Sequence, residues 1–342
     1  MQAPRESLLR WRAEIKANRE IHIAKTRSKI PAIYTEVGKA GSGLFGDVYT
    51  CLPADTVASA RSSDMHSMSE LARQLVAVKI GSSFDQDGLT QEVKILKAIR
   101  NQVEDHPAER HFFKLIEWNT ITKGEQWMVS STLPICCNLQ TLEGHFDKMP
   151  EDFLWLVYTQ LQEAMSFLHN DCKPSIAHGD LHKGNIVIGF SNADNLGLPQ
   201  LKVLDFGTST FFANDDRSSR RLRNDTHNFL CVIDFLIHES SWVTWDENSC
   251  NLAVRARLPA NRTPEFYIFH GTLNMALEQR EDVDPVVLQT LWKQFGNFAI
   301  LRVASISEAS KKQIQDVIME LTKGKYDESV RRMLELVDRH SE

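Results

Sequence analysis

The stretch His178-Gly179-Asp180-Leu181-His182-Lys183-Gly184-Asn185 carries the densest group of reactive side chains in the sequence. It lies directly before an apolar run, IVIGF, which predicts a β-strand. The spacing allows the Asp180 carboxylate to face an acceptor hydroxyl while the Asn185 carboxamide reaches a metal ion. Taken alone, the segment is also compatible with a polar turn held by Asx-type hydrogen bonds.

A second acidic position follows, where Asp205-Phe206-Gly207 ends another predicted strand, LKVLDF. An acidic residue beside a glycine at the end of a strand is commonly only a turn residue. The position also suits a ligand of Mg²⁺, which prefers oxygen atoms. Asp205 is therefore a candidate metal ligand together with Asn185.

A glycine-rich run, Gly41-Ser42-Gly43-Leu44-Phe45-Gly46-Asp47-Val48, precedes both segments. Glycines allow the backbone to approach phosphate groups closely and to adopt positive φ. In a dinucleotide-binding fold such glycines stand between a strand and a helix. Here the strand pattern DVYTCL follows, so a glycine-rich hairpin over a nucleotide fits better.

Lys79 stands in the middle of an apolar strand pattern, VAVKI. Burying an ammonium group is costly unless it is paired. Glu92 lies in the helical pattern of residues 89–101 and is a candidate partner, which would let Lys79 hold nucleotide phosphates. The alternative is an edge-strand lysine that reaches solvent.

In this order, the four signals resemble the protein kinase superfamily over roughly residues 34–240. The resemblance implies an α+β, bilobal fold, with a small antiparallel-sheet N-lobe that has one main helix and a larger, mostly helical C-lobe. We expect a helical extension at residues 1–33, the N-lobe at 34–133 and the C-lobe at 134–342.

The resemblance also implies ATP and Mg²⁺ as cofactors and a role for each matching residue. The implied nucleotide-binding residues are Gly41, Gly43, Gly46, Val48, Ala77, Lys79, Ser131 and Leu133. The implied catalytic residues are Asp180, which orients and deprotonates the acceptor hydroxyl, and Lys79, Glu92, His182 and Lys183. Asn185 and Asp205 are the implied Mg²⁺ ligands, and Asp225 resembles the acid that anchors the catalytic loop.

The sequence departs from the protein kinase pattern near Asp180. Gly179 replaces the arginine that receives a phosphorylated activation loop, so this form of switching is not expected. His182 stands where kinases acting on Ser or Thr typically have lysine, and H-G-D-L-H-x-G-N resembles the loop of choline and aminoglycoside kinases. The segment from Asp205 to Asp225 lacks A-P-E and is short. Its basic run, residues 217–223, predicts a solvated loop, an acidic-substrate dock or a self-modification site at Ser218 or Ser219.

Three functions follow from these features. The first is a divergent protein kinase that transfers the γ-phosphoryl group of ATP to Ser or Thr of a protein substrate. The second is a kinase of a small hydroxyl-bearing molecule, and the third is a pseudokinase that serves as a binding or scaffold module. The glycine-rich run and V-A-V-K favour the first, and retention of Lys79, Asp180 and Asp205 argues against the third.

Composition excludes several other classes. The 342 residues include 39 Lys and Arg against 45 Asp and Glu, a net charge of −6, so a broad nucleic-acid-binding surface is not expected. No uncharged apolar run approaches the roughly 20 residues of a membrane span, and the charged N-terminus does not resemble a secretory signal. The six cysteines form no C-x-x-C pair. We therefore expect a cytoplasmic protein.

The remaining expectations concern individual segments. Residues 5–25 predict an amphipathic helix that packs on the domain or docks a partner. Residues 54–70 predict a surface insertion without a core element. Near the C-terminus, residues 307–323 and 327–340 predict two helices, with a Ser305–Glu308 capping box and a stop at Gly324.

Overall fold

The computed structural model describes most of the chain from residue 26 onward, and the predicted helix at 5–25 lies outside the described residues. The described ranges are 26–43, 46–62, 67–82, 86–121, 126–142, 145–146, 150–192, 196–212, 216–238, 262–279 and 283–338. The chain divides into two compact units. The first comprises Met1–Thr90, Ile116–Ser131 and Arg331–Glu342, and the second comprises Gln91–Leu115 and Thr132–Val330.

The first unit is built on a five-stranded antiparallel sheet with the order β1-β2-β3-β5-β4. Its strands are β1 (Tyr34–Gly43), β2 (Gly46–Pro53), β3 (Val76–Gly81), β4 (Leu115–Asn119) and β5 (Trp127–Ser131). Side chains alternate between the faces of a strand. One face buries an apolar cluster of alternating residues, namely Tyr49, Cys51, Val76, Val78, Ile80 and Val129.

The prediction of a surface insertion without a core element at residues 54–70 was wrong. The segment forms helix α1 (Ala54–Ser62) and the start of helix α2 (Met68–Arg73), and it contributes to the core through Val57 and Ala60, which are buried. Helix α2 begins at a capping box in which the Ser67 side chain accepts from the Glu70 amide and the Glu70 side chain accepts from the Ser67 amide. The capping box and the buried side chains explain why the described residues of this segment form helices.

Helix α3 (Gln86–Val103) confirms the predicted helix at residues 89–101. Its apolar residues recur at three- and four-residue spacing, which places them on one face of a helix. The buried side chains of this face include Leu89, Val93, Leu96 and Ile99.

The described part of the second unit contains two small sheets. Strands β6 (Ile135–Asn138), β8 (Ile186–Phe190) and β9 (Gln200–Val203) pair in the order β6-β8-β9. Strand β7 (Ile176–Ala177) pairs with β10 (Thr210–Phe211). The segments that carry the candidate site adjoin the ends of β7, β8, β9 and β10.

Among the described residues that follow β6, the α-helices are α4 (Glu151–Ser166), α5 (Asp216–His238), α6 (Pro264–Leu277), α7 (Val286–Ala304) and α8 (Glu308–Asp338), and the last turns of α8 belong to the first unit. Helix α4 is buried along most of its length and forms the centre of the core. Trp155 and Tyr158 of α4 both pack against Phe269 of α6, with ring centroids 4.9 Å apart in each pair. Such tilted aromatic pairs add to the stabilisation from buried area.

Two predictions about the helices were wrong. Helix α8 runs through Gly324 as one element, and Ser307 rather than Ser305 caps it, because the Ser307 hydroxyl accepts from the Ser310 amide. A solvated loop was one of the predictions for the basic run at residues 217–223. This run instead lies in the first turns of α5.

The predicted fold class is confirmed: an antiparallel sheet in the N-terminal part is followed by a mostly helical C-terminal part, as in a bilobal kinase-like fold. The boundaries at residues 33 and 133 stay predictions. Of the helices in the described ranges, none combines the length and the apolar character that crossing a membrane requires.

Candidate functional site

The loop that begins at His178 is anchored by the buried carboxylate of Asp225 on α5. The Asp225 Oδ2 atom accepts a hydrogen bond of 2.6 Å from the His178 amide, and Oδ1 accepts one of 2.8 Å from the Gly179 amide. The His169 Nε2 atom lies 3.2 Å from Oδ2. A buried carboxylate needs such donors, and here they fix the backbone at the start of the loop.

The imidazole of His178 connects the two segments that carry the candidate acids. It is completely buried, and its Nε2 donates to the Leu204 carbonyl at 2.8 Å while its Nδ1 accepts from the Asp180 amide at 3.3 Å. These bonds require the neutral ring with a proton on Nε2. Burial lowers the pKa of His178, against the opposing effects of Asp225, the Leu204 carbonyl, Asp205 and Asp180.

Asn185 and Asp180 are in direct contact. The Asn185 Nδ2 atom donates to the Asp180 carbonyl at 3.0 Å and lies 3.3 Å from the Asp180 Oδ2 atom. Since both partners are oxygen acceptors, the amide nitrogen must face them, which leaves the Asn185 Oδ1 atom to accept a hydrogen bond or to bind a metal ion.

Asp205 follows directly after the strand pair β8–β9. The Leu204 amide donates to the Asn185 carbonyl at 2.8 Å, one step beyond the pairing of Ile186 with Val203. Asp205 itself has a left-handed backbone (φ 61°, ψ 74°), a conformation that costs most residues other than glycine about 1–2 kcal/mol. The structure thus brings Asp180, Asn185 and Asp205 to one end of the sheet, around His178.

The set of atoms offered by Asn185 and Asp205 fits Mg²⁺. A carboxylate and a carboxamide oxygen are hard ligands of the kind that Mg²⁺ prefers. The fixed orientation of the Asn185 amide leaves its oxygen, and not its nitrogen, available to a cation. These two residues could therefore hold the ion that the sequence resemblance implies.

His182 and Lys183 have different surroundings. The His182 Nε2 atom lies 3.7 Å from the Asp180 Oδ2 atom, and both side chains are about half exposed. The Lys183 ammonium lies over the ring of Phe235 on α5, 3.7 Å from its centroid. This cation–π contact holds the loop against α5.

Gly179 is the position where the sequence lacks the expected arginine, and the backbone explains the glycine. Its φ is +81°, and a Cβ atom there would lie 2.9 Å from the Thr208 carbonyl oxygen and 3.5 Å from Arg221 Nη1. Arg221 of α5 donates to the Thr208 carbonyl and, at 3.3 Å, to the Thr210 hydroxyl. Arg221 thus ties down the segment after Asp205, a role that the sequence analysis missed.

Contacts from other elements hold the same segment. The hydroxyl of Ser209 donates to the His178 carbonyl at 2.7 Å, and the side chain of Gln91 donates to the Ser209 carbonyl at 2.7 Å. Phe206 is buried, with its ring centroid 5.0 Å from that of His178. Residues 206–210 are therefore fixed by polar and aromatic contacts within the second unit.

In the first unit, the described residues of the glycine-rich run pair in antiparallel strands β1 and β2, in agreement with the predicted hairpin, with Gly43 opposite Gly46 and Gly41 opposite Val48. Gly46 has φ +142°, and a Cβ atom there would lie 2.0 Å from the Ile80 carbonyl oxygen. A side chain at Gly46 would therefore push β2 away from β3. Gly41 and Gly43 are exposed, with open space where a Cβ would lie.

Lys79, Val48 and Ala77 lie on the sheet face opposite the Tyr49 cluster. Lys79 is opposite Val48 in the β2–β3 pairing, and Ala77 is two residues earlier on the same strand. Lys79 is 8% exposed, so it is not the edge-strand lysine reaching solvent that the alternative interpretation requires. Its β3 strand pairs on both sides.

The other predicted residues are placed as follows. Glu92 lies in α3 and is 3% exposed, and its pairing with Lys79 stays a prediction. Ser131 ends β5 opposite Val76, and Leu133 is buried just after this strand. Their contact with adenine likewise stays a prediction.

Comparison with known proteins gives a partial similarity. No family model matches the chain. The chain is 34% identical over 143 residues to "Probable serine/threonine-protein kinase roco7" of Dictyostelium discoideum. The match covers 39% of this chain and 5% of that relative. The similarity therefore indicates a kinase relationship for part of the chain, and the chain spans a small fraction of the relative's length.

Proposed function

We propose that the chain is an ATP- and Mg²⁺-dependent phosphotransferase that transfers the γ-phosphoryl group to a serine or threonine hydroxyl of a protein. The network around His178 carries this proposal, because one buried ring contacts the Asp180 amide and the carbonyl just before Asp205. The partial similarity to a serine/threonine-protein kinase supports the same class of reaction.

Asp180 has the central chemical role in this proposal. Its half-exposed carboxylate orients the acceptor hydroxyl and takes the proton as the hydroxyl oxygen attacks the γ-phosphorus and ADP leaves. Phosphoryl transfer depends on positioning and charge neutralisation more than on covalent chemistry. The contacts with His178 and Asn185 are important for this reason, since the first holds the Asp180 amide and the second holds its carboxylate.

Charge neutralisation is assigned to three further residues. Asn185 and Asp205 would hold Mg²⁺, which would supply positive charge to offset that of the phosphate groups. Lys79 holds the α- and β-phosphates, and its burial strengthens its interaction with an anion. His182 lies beside Asp180 and contacts the acceptor side of the reaction, whereas Lys183 positions the loop through Phe235.

Binding of ATP is assigned to the first unit and to the segment after β5. Backbone groups of Gly41 and Gly43 contact the phosphates, where the absence of side chains leaves space. Val48 and Ala77 cover the adenine, and the backbone of Ser131 and Leu133 binds its edge.

A small-molecule acceptor is the second candidate. The segment that docks peptides in protein kinases is short here, since α5 begins at Asp216, eleven positions after Asp205. A short segment leaves less surface for a peptide and suits a compact hydroxyl-bearing substrate.

One assay separates these candidates. The wild-type chain is incubated with Mg²⁺ and γ-labelled ATP, with either a protein mixture or a metabolite mixture, and labelled products are identified by mass spectrometry. We expect phosphoserine or phosphothreonine in proteins. Label in metabolites alone would replace the first candidate with the second. Tight ATP binding without transfer to either mixture would indicate a pseudokinase instead.

A further inference from the structure

A second cluster of polar side chains lies between helices α5 and α6 of the second unit. Asp234 and His238 are one turn apart on α5, and His270 faces them from α6. The two Nε2 atoms of His238 and His270 are 3.1 Å apart, and the Asp234 Oδ1 atom lies 3.4 Å from the His238 Nε2 atom. One ligand atom from each residue lies within 4.8 Å of the others.

The carboxylate of this cluster is incompletely satisfied. The Asp234 Oδ1 atom is shielded from solvent and accepts no hydrogen bond from the described residues. A buried carboxylate oxygen in that position is costly unless a cation or a donor faces it. His270 is 7% exposed and forms the buried side of the cluster, whereas Asp234 and His238 are partly exposed.

The two distances from the His238 Nε2 atom match those between neighbouring ligand atoms of a tetrahedral metal ion, and the Asp234 and His270 ligand atoms lie within 4.8 Å of each other. Zn²⁺ binds histidine nitrogen at about 2.0–2.1 Å, and a tetrahedral arrangement then separates neighbouring ligand atoms by about 3.3 Å. The observed separations of 3.1 and 3.4 Å lie on either side of that value. Two neutral imidazoles and a carboxylate are also ligand types that Zn²⁺ accepts.

We propose that Asp234, His238 and His270 bind Zn²⁺, and that this ion joins α5 to α6. The site is separate from the proposed Mg²⁺ ligands and does not depend on the proposed function. Helix α5 also carries Asp225, so the ion stabilises the helix that anchors the loop at His178.

Asn274 would supply a fourth ligand through its carboxamide oxygen. It lies one turn after His270 on α6, and its Nδ2 atom is 3.0 Å from the His270 Nε2 atom. The two ends of a carboxamide exchange places when it turns over, which brings the oxygen towards the ion. Each helix then contributes two side chains separated by four residues, which lie on the same helix face.

The experiment measures Zn²⁺ binding by the purified full-length chain after treatment with a chelator. Zn²⁺ is titrated in excess Mg²⁺, which occupies oxygen-rich sites, against a colour-forming competing chelator. The variants are Asp234→Asn, His238→Gln and His270→Gln. His145→Gln is the matched control, because His145 is exposed and lies outside the cluster.

We expect one Zn²⁺ per wild-type chain and the same for His145→Gln. In the cluster variants, affinity falls by more than the roughly 10–100-fold typical of changes to residues that only support a ligand. A hundredfold excess of free Zn²⁺ over Kd raises the wild-type Tm by roughly 5 °C, and it does not raise that of Asp234→Asn.

Two results would overturn the proposal. One is a wild-type chain that retains no Zn²⁺ against the competing chelator, which would mean that the two histidines share a proton instead. The other is unchanged affinity in Asp234→Asn and His238→Gln. These two side chains are partly exposed, so they decide the matter even if His270→Gln does not fold.

Discussion

The carboxylate of Asp225 holds the backbone of His178, accepting a hydrogen bond of 2.6 Å from its amide. The same carboxylate accepts a hydrogen bond from the Gly179 amide, so one side chain fixes two successive amides. The ring of His178 then extends this fixed point to the Asp180 amide and the Leu204 carbonyl. The positions of both candidate acids therefore depend on one buried carboxylate of α5.

Replacing Asp225 tests this dependence. In Asp225→Asn the carboxamide offers one acceptor to two amides, which leaves a buried N–H unpaired and costs about 1–3 kcal/mol of unfolding free energy. We expect kcat to fall on the order of 10²-fold, because the loop shifts, with little change in ATP affinity. The measurements are urea unfolding, steady-state kinetics and ATP titration. A variant with wild-type kcat would show that Asp225 is not needed to position the loop.

Gly179→Ala tests the backbone at the centre of the loop. Its positive φ and the 2.9 Å approach of a Cβ to the Thr208 carbonyl predict a loss of about 1–3 kcal/mol in unfolding free energy. Gly197→Ala is the matched control, since nothing lies within 4 Å of its Cβ position, and we expect a change of less than about 0.5 kcal/mol. Equal unfolding free energies for the two variants would contradict the assigned geometry.

Arg221→Ala tests the attachment of the segment after Asp205. The change removes the donor to the Thr208 carbonyl and Thr210 hydroxyl, so we expect kcat to fall several-fold. The neighbouring Arg220 is exposed, and Arg220→Ala should retain wild-type kcat while removing the same charge. If both variants lose the same activity, the effect comes from charge alone and the positioning role is wrong.

The pH dependence of stability should include a contribution from Glu163. Burial alone would raise its pKa, but hydrogen bonds from His111 and Arg110 outweigh this effect and lower it to about 2. Because this value lies below the usual range, the stabilisation is present above pH 4.5 and is lost as the pH falls towards 2.

The comparison of Glu163→Gln with the wild type measures this contribution. We expect the variant to be less stable in urea at pH 7 and the difference to narrow steadily between pH 5 and pH 3. Glu308→Gln serves as the control, since Glu308 is largely exposed and its ion pair with Lys311 lies at the surface. A difference that stays constant over this pH range would disprove the role of the Glu163 carboxylate.

The sequence predicted the strands around Tyr49 and Lys79 well, because alternating burial leaves a period-2 pattern that can be read locally. The prediction that a helix ends at Gly324 was wrong, because a glycine inside a helix lowers its stability by only about 1 kcal/mol. Burial of Ile314, Ile318 and Met333 along α8 outweighs that cost. The prediction for residues 54–70 was wrong because the segment is mostly polar, and the few side chains that it buries leave no recognisable pattern in the sequence.

The sequence indicated which residues are candidates for the site, but it did not indicate the contacts that join them. Asp180, Asn185 and Asp205 could be chosen because their residue types and spacing indicate the chemistry. The link through the His178 ring could not, because it depends on the β8–β9 pairing that brings Leu204 to the loop. The role of Arg221 could not be predicted, because it stands in a basic run whose pattern is compatible with a loop as well as with a helix.

The most direct test of the proposed phosphotransferase compares Asp180→Asn with Asp171→Asn. The two aspartates are matched, since each side chain is 48% exposed and each has a carboxylate oxygen 3.7 Å from a histidine Nε2 atom. Transfer from γ-labelled ATP is measured by mass spectrometry of the products, and ATP binding is measured alongside. We predict that Asp180→Asn slows transfer by on the order of 10²–10⁴-fold and still binds ATP, while Asp171→Asn matches the wild type. Wild-type transfer by Asp180→Asn, or an equal loss in both variants, would contradict the role assigned to Asp180.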